Sequence, residues 1–147
     1  MRGERAESFA VLVLRALALG FAVVGILFIA VPNGVLDTIP DLGDEIGGFS
    51  RAPHGTEQLW LALGFSYMVV ITGICLLAQT DVVRYRPLLL VLAAGKTASS
   101  LASLGFYLFD DDVFAYLLNF LVDGSLVLVA LWLWSLIGRI DRQPGAG

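Results

Sequence analysis

The chain has 147 residues, 58 % of them hydrophobic and 15 % charged, with a formal net charge of −4 and a mean hydropathy of +0.84. Soluble domains hold about 45–50 % apolar and about 25 % charged residues, so this chain has more apolar surface than one soluble core of its size can hide. Composition and sign of charge exclude a disordered chain and a nucleic-acid binder, and they select an integral membrane protein.

A helix needs about 20 mostly apolar residues, each rising ~1.5 Å, to cross a bilayer. The first such run covers 9–31 and stops at Pro32-Asn33-Gly34. Arg2 and Arg5 before it imitate a signal peptide, but the run exceeds a signal h-region and Arg15 interrupts it. Arg15 reads as a side chain snorkelling to the headgroups, in preference to one with an inward partner. In the following connection Val35, Ile39, Leu42 and Ile46 recur at helical offsets, with Asp37, Asp41, Asp44 and Glu45 off the stripe and Pro40 breaking it. Two expectations stand there, a short broken helix lying on the interface and an irregular acidic loop. His54, in the same connection, reads as solvated.

The second run covers 58–78, the third 87–109, opening on Pro87, a favourable first helical residue, and the fourth 113–137. No strand-like alternation competes with them. Short connections between the last three force antiparallel neighbours. The expected fold is all-α, an integral membrane up-down four-helix bundle forming a single domain over 1–142, with 143–147 a disordered tail. Gly20, Gly25, Gly64, Gly73, Gly95 and Gly105 permit close helix approach. Trp132 and Trp134 fit an aromatic belt better than a stacking site.

Charge is sorted by sign. Arg2, Arg5, Arg84, Arg86, Arg139 and Arg142 fall in the N-terminus, the second connection and the C-terminus, whereas Arg51 is the only basic residue of the other two connections. The positive-inside rule then places both termini in the cytoplasm of a multi-pass cell-membrane protein. The outward connections are acidic, the third being Asp110-Asp111-Asp112.

Ionisable residues at mid-membrane cost about 2.5–3.5 kcal/mol on insertion scales and need a partner or a wet cavity. Lys96 and Asp123 lie deep in the third and fourth runs, with backbone depths about 5 Å apart, within reach of a lysine side chain. At 100° per residue Lys96, Ser100, Ser103 and Tyr107 share an arc of about 60°, as do Tyr116, Asn119 and Asp123 on the fourth run. Glu57, Trp60 and Tyr67 line one side of the outer half of the second. These residues predict a Lys96–Asp123 ion pair and an outward-opening polar pocket containing Asn119, Ser100, Ser103, Tyr107, Tyr116, Tyr67 and Glu57.

No enzymatic signature accompanies them. The single Cys75 forms no internal disulfide or CxxC pair, one histidine cannot ligate a haem twice, and no phosphate loop, dinucleotide fingerprint or zinc spacing occurs. No catalytic residue, metal or cofactor is assigned.

Four short spans, the early Arg15, the Pro-Asn-Gly stop and the glycine-bearing second and third spans resemble the DoxX-like small membrane proteins. The resemblance covers the architecture, carries no diagnostic motif and transfers no active-site residue. It implies an accessory membrane subunit, some members being associated with quinone-linked oxidation. Two roles follow. The chain is a non-catalytic membrane subunit or interaction protein, partnered by lipid and by another membrane protein or a second copy of itself. Alternatively, it is a small-molecule or ion transporter built around Lys96 and Asp123.

Overall fold

A run of Leu, Val, Ala and Phe without internal proline satisfies its backbone N–H and C=O groups most readily as a helix. The computed structural model describes residues 2–30, 58–110 and 112–141, with side chains described from 4 to 140 except at 28–29 and 58–61. The described residues form four helices: α1 (Arg2–Ala30), α2 (Gln58–Ala78), α3 (Leu88–Phe109) and α4 (Phe114–Asp141). The expected stripe Val35–Ile46, His54, Glu57 and the tail 143–147 lie outside the described residues, as does the side chain of Trp60.

Two helices overrun the expected bounds. α1 begins seven residues before 9, because Glu4, Arg5, Ala6 and Glu7 are good helix formers and Glu4 in the first turn complements the positive helix end. α4 continues four residues past 137, with Arg139 in its last turn favouring the negative end. α2 has the expected bounds. Pro87 precedes α3 as its N-cap, already in helical conformation (φ −58°, ψ −26°).

Packing is concentrated within two hairpins, α1–α2 and α3–α4, which touch each other more sparsely along α1–α4 and α2–α3. In the first hairpin Gly25 lets Met68 approach to 3.0 Å of where a Cβ would stand, and Arg15 meets Gln79, so the two helices run antiparallel. The second is antiparallel by the same logic, with Ser100 bonding the Phe120 carbonyl and Phe106 against Tyr116. Between the hairpins the turn 79–87 is held by Asp81, whose Oδ1 accepts from the Arg84 N–H at 2.9 Å and whose carbonyl accepts from Tyr85.

The core is assembled from small and medium side chains of every helix, including Ala10, Leu14, Ala18, Cys75, Leu89, Ala130, Leu133 and Ile137. Large apolar side chains stand outside it: Leu12, Leu19, Leu101 and Leu128 are each 60 % exposed or more. Lys96, Ser100, Ser103 and Asp123 are buried instead. This inside-out distribution goes with α1 (over Glu4–Leu27), α3 and α4 (over Phe114–Ile140) each being long and apolar enough to cross a membrane. The described apolar stretch of α2 is shorter, Ala62–Ala78.

Only some of the expected close-approach glycines act as such. Gly25 and Gly95 do, but Gly20, Gly64, Gly73 and Gly105 face open space. Gly124 and Gly138, not singled out by the sequence, are in tight contact with Ser100 and Arg86. Sequence spacing locates a small residue, but which helix face meets a neighbour is decided by rotation within the bundle.

Candidate functional site

The site is assembled around Lys96. α3 places this residue on its buried face, one turn from Leu92 and from Ser100. Its Nζ donates to Asp123 Oδ1 on α4 at 2.8 Å, with the two side chains 2 % and 6 % exposed. The predicted pair is therefore present. An ammonium has three N–H donors, and aromatic faces flank this one: the Phe21 ring of α1 at 4.9 Å and the Tyr67 ring of α2 at 5.4 Å. The negative face of a ring attracts a cation by about 0.5–2 kcal/mol, more when water is excluded. All four helices thus meet at one charge.

Tyr67 is seated because α3 has no side chain at Gly95. A Cβ there would stand 3.0 Å from the phenol oxygen. Phe21 escaped the sequence analysis. A cation–π partner shows no polarity and no spacing signal, and α1 offers other phenylalanines.

From the ion pair a polar seam runs between α3 and α4. Ser100 Oγ donates to the Phe120 carbonyl at 2.9 Å, and its small size lets Gly124 come close. Asn119 Nδ2 donates to Ser103 Oγ at 2.7 Å and more weakly to Ser99 Oγ at 3.3 Å. Tyr116 packs on Phe106 with ring centroids 5.6 Å apart, and Tyr107 is half-buried. Exposure rises along the seam, from Lys96 and Ser100, through Ser103, to the exposed Asn119. The structure thus joins Lys96 and Asp123 with Tyr67, and Ser103 with Asn119; Glu57 lies outside the described residues.

Two other polar contacts were not part of the sequence reading. Arg15 has a side-chain partner, its Nε donating to Gln79 Oε1 at 3.0 Å. Trp134 also carries a contact within the chain. The Arg86 guanidinium lies 4.2 Å from its ring centroid, and Arg86 Nε donates to the Trp134 carbonyl at 2.9 Å. Trp132, half-exposed, meets Phe9 edge-on at 5.6 Å.

Chemically, the arrangement holds opposite charges together in a buried, ring-lined setting. Charges removed from water in this way are stable only as a pair, since each would be strongly unfavourable alone. Among the described residues no group of three or more His, Cys, Asp or Glu side chains is arranged to hold a metal ion. The chain matches no family model, no curated protein and no solved structure.

Proposed function

We propose that this chain is a multi-pass cell-membrane protein of four spans in an up-down bundle, with both termini cytoplasmic. We read it as a non-catalytic subunit or interaction protein whose Lys96–Asp123 pair locks the bundle. The observation that carries this role is the closure of the pair. Both side chains are almost wholly buried, they bond each other at 2.8 Å, and rings from the other two helices cover the ammonium. A group that exchanges a ligand needs a path; a group that sets helix register needs closure. The resemblance to DoxX-like proteins points the same way, toward an accessory subunit.

Membrane insertion is supported by the exposed leucines and the buried polar residues. Orientation is supported by the sorting of charge, with Arg84, Arg86 and Arg139 toward one end of the bundle and Asp110 and Asp112 toward the other. The partner, another membrane protein or a second copy, is assigned to the acidic outer face.

The graded exposure from Lys96 to Asn119 favours a second reading, a small-molecule or ion site reached along the α3–α4 seam. Native complex size separates the two. Under the subunit reading, Asp41→Asn, Asp44→Asn and Glu45→Gln together leave a folded protein whose complex is smaller on native gels. An unchanged complex counts against it. Ser50→Cys and Thr80→Cys in a Cys75→Ala background test orientation. An impermeant thiol reagent on intact cells should label position 50 and spare position 80, and the reverse pattern rejects the orientation.

A further inference from the structure

Arg15 lies within the apolar stretch Glu4–Leu27 but level with the end of α2, where the 79–87 turn begins, and its side chain is exposed on the outside of the bundle. It is also held in place. Its Nε donates to Gln79 Oε1 at 3.0 Å, and Gln79 is the first residue beyond α2. That bond uses one of the five guanidinium N–H groups. The amide is neutral, so it orients the positive charge without compensating it. Among the described residues no carboxylate pairs with Arg15, and Asp81, in the adjoining turn, is engaged by the Arg84 N–H.

The helix face carrying Arg15 is polar near the helix start and apolar beyond Arg15. Glu4, Ser8 and Arg15 fall within about 40° of one another at 100° per residue. Glu4 and Ser8 line a shallow groove with Arg5, Phe9 and Leu12. Beyond Arg15 the same face holds Leu19 and Ile26, 68 % and 60 % exposed. Across the hairpin, one turn before Gln79, Leu76 is 47 % exposed. The guanidinium therefore stands among outward-facing apolar side chains, Leu12 before it and Leu19 and Ile26 beyond it, with Glu4 and Ser8 toward the helix start.

We propose that Arg15, oriented by Gln79, binds the phosphate of an anionic phospholipid whose acyl chains lie along Leu19, Ile26 and Leu76. The planar fork of an arginine matches two phosphate oxygens, and the anion supplies a countercharge at the headgroup level to which the side chain extends. A free phosphate would meet the guanidinium but gain nothing from the apolar strip, which is why the lipid is the occupant. The inference rests on the membrane reading above.

Native mass spectrometry of the full chain in neutral detergent tests it, with phosphatidylglycerol, phosphatidylcholine and glycerol phosphate titrated separately. Phosphatidylglycerol should bind more tightly than phosphatidylcholine. Arg15→Gln should weaken it about tenfold, the effect of losing a charged hydrogen bond, and abolish the preference. Gln79→Leu should weaken it less, while Arg84→Gln and Arg139→Gln leave it unchanged. If Arg15→Gln does not fold, Arg15→Lys, which keeps the charge and loses the fork, should give intermediate weakening. A preference that survives unaltered in the folded Arg15 and Gln79 variants overturns the site. Equal binding of glycerol phosphate overturns the lipid as its occupant. Retention in membranes after an alkaline wash is scored separately. A retained chain without anionic preference rejects the lipid site alone, and a chain washed free rejects both proposals.

Discussion

Breaking the Lys96–Asp123 pair from either side should cost different amounts. Removing one partner of a buried pair costs about 3–5 kcal/mol, because the remaining charge has lost its countercharge and cannot regain water. Lys96→Met leaves the Asp123 carboxylate, 6 % exposed, without its ammonium and also forfeits both ring contacts. Asp123→Leu leaves the ammonium still facing Phe21 and Tyr67, each contact worth about 0.5–2 kcal/mol. Lys96→Met should therefore fall near the upper end of that range and Asp123→Leu near the lower end, about 3 kcal/mol. The double variant buries no charge and should recover most of the loss, retaining a deficit of about 1–2 kcal/mol from the missing cation–ring contacts. The measurement is unfolding by SDS titration in mixed micelles for wild type, both single variants and the double variant. A coupling of about 6 kcal/mol follows from these magnitudes. Additive losses would mean that the two charges do not meet, and the packing of α3 on α4 would be wrong. If the stable double variant also keeps its native complex, the pair is a lock; loss of function in a stable double variant favours the ligand-site reading.

Two further outcomes follow from the packing. A Cβ at Gly138 would overlap the Arg86 guanidinium, which is pinned by the Trp134 ring and carbonyl. Gly138→Ala should thus destabilise by about 1–3 kcal/mol as overpacking, yet stabilise by up to about 1 kcal/mol in an Arg86→Ala background, where only helix propensity remains. Failure of the sign to invert in SDS unfolding would count against the Arg86 clamp. Asn119→Leu removes the donor shared by Ser103 and Ser99 but lies at the exposed end of the seam. It should cost no more than about 1 kcal/mol, near the ~0.6 average for interhelical hydrogen bonds in membranes; a loss above 3 kcal/mol would show Asn119 to be buried in the native assembly.

The linear order of residues determined the helices and the ion pair. Apolar runs of about 20 residues leave the backbone little alternative to a helix, which is why α2 was legible to its end residues, while α1 starts earlier through polar helix formers and α4 runs on through a last turn that carries Arg139. Lys96 and Asp123 were legible because charge deep in an apolar run is costly, and two such charges at matching depth satisfy each other. The arcs containing Ser100, Ser103 and Asn119 followed from helical periodicity alone.

The tertiary structure decided whatever depends on how each helix is rotated and on which neighbours touch. Tyr67 was legible as a member of the polar pocket, whereas Phe21, which also caps the ammonium, was not, since no sequence pattern separates a phenylalanine facing a cation from one facing lipid. Gln79 orients Arg15 and Trp134 stacks on Arg86 because the 79–87 turn brings polar side chains onto helices distant in sequence. Gly138, and not Gly105, is a contact point for the same reason. Periodicity defines the faces of one helix. Their partners come from packing four helices together, a condition that no single segment carries.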